Sequence, residues 1–424
     1  MATNTKVRTR KIRYDRIVLC LLVITFFTIL IIWLCTSKNK EEEISVTMEN
    51  LSNRSISEVV EYAKVHNLVL NTRYEYSDSI EKDNVISQSI EAHTVISSND
   101  ELSVVISKGK LDKEKLASSK INELGRVPVM MYHGIVNKKD SETSYIGGNV
   151  DKDGYNRTSE SFRRDLEFYY ENGYRMIRAI DYVNGNIDVE YGKSPIVITF
   201  DDGNANNILV DGLDDDGNII INKDSAVGIL EEFKHKYKDY NVTATFFVNG
   251  GIFNQSEYND KILEWLVNNG YDVGNHTRTH VNFSNVSTVR SEEEVGYIYD
   301  LLDSKIPSKY VNLVALPFGS PYKNTHENFS HILKCTYNDK EYTTISTFRV
   351  GWMPDYSPFS VEFNKNFIMR VRAYDNNGTD FDIDSTFRML DKNRYISDGD
   401  VNTITISESN KDKLISTDRQ VITY

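Results

Sequence analysis

A chain of 424 residues with 62 acidic and 49 basic side chains carries a formal charge of −13 and is longer than one hydrophobic core usually organises. Two or more modules are expected, and nucleic acid is not an expected partner, because binding phosphates needs a basic face. Of the three cysteines, Cys20 and Cys35 belong to one apolar run and only Cys335 lies outside it, so the rest of the chain is expected to be held by its core and Cys335 to be a buried structural thiol.

The apolar run is Ile17 to Cys35. It is uncharged and about long enough to cross a hydrocarbon layer of roughly 30 Å. Lys6, Arg8, Arg10, Lys11, Arg13 and Arg16 precede it, whereas only Lys38 and Lys40 and then three glutamates follow, which places the N-terminus in the cytoplasm. A cleaved signal peptide is the competing reading. Against it, the run exceeds a typical signal core and no small-x-small cleavage site follows. The expectation is a cytoplasmic tail (1–16), a single-pass membrane helix (17–35) and the remainder outside the cell.

After a charged stalk, residues 46–109 read as a small α+β unit. Ser55 and Glu58 have the spacing of a helix cap, with Val59, Tyr62 and Ala63 on one face behind them. Three strand-like runs follow: Leu68–Tyr76, Val85–Ser89 and Leu102–Ile106. Tyr76-Ser77-Asp78, Val85-Ile86-Ser87-Gln88-Ser89 and the closing Val104–Gly109 resemble a PASTA domain, a family associated with binding peptidoglycan. A single copy also fits a simple spacer.

Residues 110–126 are read as a linker, polar and charged from Lys110 to Lys120, with a second module spanning 127–424. Val127–Tyr132 reads as a buried strand delivering His133 and Gly134. Ser161–Asn172 has Phe162, Leu166 and Tyr169 on one side and predicts a helix stopped by Gly173. Asp181–Gly192 is turn-rich. Ile196-Val197-Ile198-Thr199 predicts a buried strand ending in Asp201 and Asp202. Ile208–Ile221 reads as a hairpin around the acids Asp214, Asp215 and Asp216, taken as a solvated turn because an EF-hand would need acids at Gly212 and Lys223. A helix over Ala226–Tyr237, a strand over Thr243–Val248, a helix over Ile262–Asn269 and a strand over Tyr271–Gly274 complete an alternation that implies a β/α sheet or barrel.

Adjacent carboxylates at a strand end repel, so a cation or a proton is expected on one of them. Further along, His276-Thr-Arg-Thr-His280 presents two imidazoles four residues apart. One carboxylate and two imidazoles make an open three-ligand set suited to Zn²⁺. Thr199-Phe200-Asp201-Asp202-Gly203 and His276-Thr277-x-x-His280, with Ala244-Thr245-Phe246-Phe247-Val248 between them, resemble the first two motifs of the polysaccharide deacetylases (NodB homology, carbohydrate esterase 4). The resemblance covers roughly Val127 to Tyr374.

That resemblance implies a distorted (β/α) barrel and hydrolysis of an N-acetyl group from an amino sugar. It implies Asp202, His276 and His280 as ligands of Zn²⁺ or another divalent transition metal, and Asp201 as general base. Two departures stand out. No Leu-x-x-His motif follows His280, but Tyr132-His133 resembles the start of a circularly permuted branch, which makes His133 the candidate acid; a satisfied core histidine is the alternative. Ala315-Leu316-Pro317-Phe318-Gly319 has alanine where the family's arginine orients the base. Phe318 remains a candidate oxyanion donor through its backbone N–H, Trp352 a candidate wall for the acetyl methyl group, and Arg370 or Arg372 a substitute for the arginine. The expected substrate is an extracellular glycan, peptidoglycan ahead of poly-N-acetylglucosamine. A non-catalytic glycan-binding or sensor protein is the competing reading.

Overall fold

The computed structural model describes residues 46–424, in two compact units with the boundary at Asp112 and Lys113. The segment Ile17–Cys35 lies outside the described residues. Among the described residues no helix is long and apolar enough to cross a membrane.

In the first unit, helix α1 (Ile56–Val65) begins at a reciprocal cap. The Ser55 hydroxyl accepts from the Glu58 N–H, and the Glu58 carboxylate accepts from the Ser55 N–H. Strands β1 (Val69–Glu75), β2 (Val85–Gln88) and β3 (Glu101–Ser107) form a sheet with β3 in the middle, parallel to β1 and antiparallel to β2. Alternation along β3 sends Leu102, Val104 and Ile106 to one face, where they pack with Val59 and Tyr62 of α1.

The second unit opens with a short helix, α2 (Lys113–Ser118), inside the stretch read as a linker. Leu116 is buried there, one apolar side chain anchoring a turn that composition alone shows as charge. Next come β4 (Val129–Tyr132), β5 (Ile135–Val136), β6 (Arg157–Thr158), α3 (Ser159–Glu171) and β7 (Tyr174–Met176). Helix α4 (Ala179–Asn184) occupies the start of the turn-rich segment, closed by Gly185 in the left-handed region. The central strand β8 (Ser194–Phe200) is buried at every position, as a parallel strand covered on both faces must be. The hairpin β9 (Val210–Leu213) and β10 (Ile219–Ile221) is antiparallel, as its sequence predicts.

Then α5 (Ala226–Lys236), β11 (Thr245–Val248), α6 (Asn259–Asn268), β12 (Asp272–Asn275), α7 (Thr288–Lys305) and β13 (Leu313–Ala315) continue the alternation. Helix α8 (Glu327–Leu333) leads into the ribbon β14 (Lys334–Tyr337) and β15 (Lys340–Thr343). Cys335 is buried on β14, where burial pushes its thiol up to about 12. Strands β16 (Ser346–Phe348), β17 (Phe367–Ile368) and β18 (Val371–Arg372) follow. The polar C-terminal region supplies α9 (Ile383–Leu390) and the parallel pair β19 (Thr403–Ile406) and β20 (Gln420–Thr423).

The main sheet runs β17-β16-β13-β12-β11-β8-β4-β18, all parallel, with β7 joined to the start of β8. Its two edge strands, β17 and β18, are neighbours in sequence, separated only by Met369 and Arg370. The sheet is therefore a curled, distorted (β/α) barrel whose gap is crossed by one short run of chain. Period-two alternation sorts its side chains into two cores. Ile196, Ile198 and Phe200 of β8 pack with Phe162 and Leu166 of α3 and Leu230 and Phe233 of α5. Val197 packs with Val129, Phe247, Leu313, Phe348 and Ile368, and with Tyr182 of α4 and Ile404 of β19. Thr199 and Asp201 share the parity of Val197, which aims them at the inside of the curl.

Candidate metal centre and active site

Asp201 and Asp202 leave the end of β8 in different directions because the backbone turns sharply. Asp202 has φ +73° and Gly203 φ +58°. A Cβ on Gly203 would lie 2.0 Å from the Ile252 carbonyl oxygen, so no other residue fits beneath the two acids. Asp201 is buried, while Asp202 is partly exposed and faces the histidines.

His276 follows β12 and is buried. Its Nδ1 lies 2.9 Å from the Ala315 carbonyl, an arrangement in which Nδ1–H donates and Nε2 presents a lone pair. That Nε2 sits 3.2 Å from Asp202 Oδ1, and His280 Nε2 sits 3.4 Å from the same oxygen. Although close to the carboxylate, the buried His276 Nε2 has no hydrogen-bond partner among the described residues. A buried lone pair beside a carboxylate is an arrangement that a cation relieves.

The spacing fits such a cation. Tetrahedral ligands at roughly 2.0–2.1 Å from a zinc-like ion stand about 3.3–3.4 Å apart. Asp202, His276 and His280 are the one cluster of three metal-capable side chains found among the described residues, with ligand atoms within 4.8 Å of one another. The chemistry of this donor set, one carboxylate and two imidazoles, fits a borderline-soft divalent ion.

The histidine loop is held under strain. Thr277 and His280 adopt φ +65° and +57°, a region costly for non-glycine residues. Asn249, immediately after β11, donates from Nδ2 to the carbonyls of His276 (2.7 Å) and Thr277 (3.0 Å). Glu294, buried on α7, accepts from the Thr279 N–H (2.7 Å) and hydroxyl (2.6 Å). Neither support has a motif signature in the sequence, although Asn249 stands at a strand end.

Asp201 is gripped by Arg370. The guanidinium donates to Oδ1 (2.7 Å) and Oδ2 (2.6 Å), and also to the Thr199 hydroxyl (3.1 Å) and the Arg349 carbonyl (3.1 Å). Both side chains are buried. Burial by itself would raise the Asp201 pKa, but Arg370 and then His276 outweigh it and hold the carboxylate well below its usual range. Arg370 is thus the arginine that holds Asp201, while the motif position expected to supply one carries Ala315, and it arrives from the run that crosses the gap of the sheet. Arg372, the other candidate, points elsewhere, with its guanidinium over the rings of Tyr374 (3.9 Å) and Tyr155 (5.2 Å).

Asp201, Asp202, His276 and His280 line a hollow of about 320 Å³ together with His133, Phe318, Leu316 and Val350. His133 packs edge-on against Tyr155, and its buried Nδ1 has no hydrogen-bond partner among the described residues. Burial lowers its pKa, with Asp201 and Asp202 acting in the opposite sense. Phe318, at φ +57°, sets its ring against His280 at 4.6 Å between centroids.

Residues 188–334 match the family model for polysaccharide deacetylase, and residues 46–108 match that for the PASTA domain. The chain carries a polysaccharide deacetylase domain and a PASTA domain. Among curated proteins none matches the chain. Solved structures similar to this chain include the Streptococcus pyogenes deacetylase PplD in complex with acetate, at 16% identity and TM-score 0.43, covering 62% of this chain and 98% of that one. A de-N-acetylase from Aggregatibacter actinomycetemcomitans is similar at 14% identity and TM-score 0.39, over 62% and 99% of the two chains. The extracellular region of the Ser/Thr kinase PrkC from Staphylococcus aureus is similar at 31% identity and TM-score 0.15, over 15% of this chain and 23% of that one.

One expected site residue falls elsewhere. Trp352 does not line the hollow of the deacetylase site; it is 52% exposed and lines an adjoining one, because its backbone bridges to Val371 at the barrel's edge. Leu316 and Val350, which sequence reading did not single out, are the apolar side chains that line the site beside Phe318.

Proposed function

We propose that the protein is a membrane-anchored, divalent-metal-dependent hydrolase that removes N-acetyl groups from the N-acetylglucosamine of peptidoglycan. The observation that carries this is the Asp202–His276–His280 triangle beside a second carboxylate, Asp201, kept ionised by Arg370 in the same hollow. Asp202, His276 and His280 would hold the ion, a zinc-like one by donor chemistry. When bound, it supplies Lewis-acid polarisation of the acetyl carbonyl and acidifies water.

The chain's own residues do the rest. Asp201, ionised and fixed by two hydrogen bonds, accepts the proton of the attacking water. The amine is a poor leaving group, so a proton must reach its nitrogen as the C–N bond breaks, and His133 in the same hollow is placed to give it. Burial lowers the His133 pKa despite the opposing carboxylates of Asp201 and Asp202, so that once protonated it gives its proton up readily. The Phe318 backbone N–H is the proposed protein donor to the oxyanion.

The PASTA domain favours a cell-wall glycan. The run Ile17–Cys35, with its basic flank, supports a cytoplasmic N-terminus and an extracellular catalytic domain. The Tyr132-His133 start favours poly-N-acetylglucosamine as the second substrate reading. A non-catalytic glycan binder loses one of its reasons, since Arg370 holds Asp201 in the absence of the motif's arginine.

The test is acetate release by the purified full-length protein from peptidoglycan and from N-acetylglucosamine oligomers, with added Zn²⁺ and with chelator. Chelator-sensitive release that Asp202→Ala abolishes is expected. Release from neither polymer by protein with metal bound would favour the binder.

A further inference from the structure

Beside the catalytic hollow lies a larger one of about 540 Å³, and the two share Tyr155 and Val350 in their walls. Trp352 (52% exposed) and Phe381 (44% exposed) offer apolar ring surface to it. Its charged members differ in their engagement. Lys152 and Asp153 pair weakly at 3.9 Å, and Asp380 accepts from Asn376 at 3.0 Å. The Arg372 side chain makes no hydrogen bond or ion pair with any described residue and is held by the rings of Tyr374 and Tyr155. Outside that lining, Arg349 donates from Nε to the Val350 carbonyl and sets its guanidinium over Trp352, with no carboxylate partner among the described residues.

In a chain with 13 more acids than bases, an arginine left without an acid is informative. Stacking fixes the plane of the guanidinium and leaves its N–H fork for a planar anion. Exposed aromatic faces next to it suit the apolar face of a sugar ring. Resting on the deacetylase reading, we infer that this second hollow receives the sugar next to the one being deacetylated, and that Arg372 binds a carboxylate on it. The carboxylate belongs either to a lactyl ether on the sugar or to a peptide attached through that ether. The site therefore selects an alternating glycan with acidic sugars over a neutral homopolymer, with Arg372 as a specificity-determining residue that touches no reacting atom.

The experiment measures binding rather than turnover, on full-length protein stripped of metal by chelator. Four ligands are titrated by calorimetry: a peptide-free tetrasaccharide alternating N-acetylglucosamine with N-acetylmuramic acid, its methyl ester, the peptide-bearing form, and the esterified counterpart of that form. In wild type an acid should bind about tenfold tighter than its ester. The gap should vanish in Arg372→Gln and return in large part in Arg372→Lys. Which acid shows the gap names the source of the carboxylate. Equal affinity of acids and esters in wild type overturns the inference, and needs no variant to fold. A gap that persists in Arg372→Gln overturns it as well. Acetate release from neutral oligomers by metal-loaded protein is read separately, so that failure of the deacetylase reading is told apart from failure of this one.

Discussion

Replacing Arg370 by methionine keeps most of the side-chain volume and removes the charge that faces Asp201. Arg370 makes two hydrogen bonds to that carboxylate, and neither group is in contact with water to speak of. Breaking one partner out of a buried pair costs about 3–5 kcal/mol, because the other is left as an uncompensated charge. Asp201 can escape part of that cost by taking up a proton. In the wild type its folded pKa is depressed, so it contributes stability above its unfolded value of about 3.9, lost as pH falls through the folded pKa. In Arg370→Met burial is no longer opposed by the guanidinium, the folded pKa rises, and the sign reverses: stability now falls as pH climbs through the new value. A protonated Asp201 cannot accept the proton of water, so kcat/KM for acetate release at neutral pH should fall by about 10²–10⁴. Part of the loss should return at higher pH, where Asp201 ionises again. Arg370→Lys, with charge but no fork, should fall between. The double variant Asp201→Asn/Arg370→Met should be more stable to urea than Arg370→Met alone. Acetate release and urea denaturation, both followed from pH 5 to 9, give the answer. An Arg370→Met protein with wild-type kcat/KM and an unshifted pH profile would refute the assignment of Asp201 as base and Arg370 as its holder.

Three other outcomes follow from the geometry. Gly203→Ala places a methyl group 2.0 Å from the Ile252 carbonyl at φ +58°, so it should destabilise the second unit by more than the roughly 1–3 kcal/mol of strained backbone alone and weaken metal retention, as read by calorimetry and metal analysis. Burial, partly offset by the N–H groups of Tyr356 and Met369, raises the Asp355 pKa to about 7, so the folded state holds that proton more tightly and stability should drop by a few kcal/mol between pH 4 and 7. Asp355→Asn should flatten that slope in urea denaturation, and an unchanged slope would contradict the assignment. Ser55→Ala removes half of the α1 cap and should cost about 1 kcal/mol, seen as faster amide exchange confined to the first unit.

The elements that were legible in the sequence are those whose local pattern and tertiary role agree. β8 is a β-branched run with acids at its end, the α1 cap is written in two residues, and the three metal-capable side chains sit at motif spacing. α2 and the start of α4 were hidden because each is six residues long and rests on a few buried side chains, Leu116 in one case and Ala179, Tyr182 and Val183 in the other. Arg370 could be narrowed to two arginines but not chosen, because the choice depends on register in a run where two strands of two residues flank it. Trp352 was misplaced for a similar reason: rarity marks a tryptophan, whereas the wall it joins is decided by a single bridge to β18.

The run from Phe367 to Arg372 crosses the gap in the barrel, and it also redraws the border of the catalytic machinery. The family match ends at residue 334 and begins at 188, enclosing all three metal-capable residues and Asp201. His133 comes from before that span and Arg370 from after it. A gene fragment trimmed to the recognisable family segment would keep every hallmark by which it is found, yet it would lose Arg370, which holds Asp201, and His133, the proposed acid. Homologues detected only through the central motifs can therefore differ in whether they carry the full chemistry, and sorting them requires asking what closes the barrel.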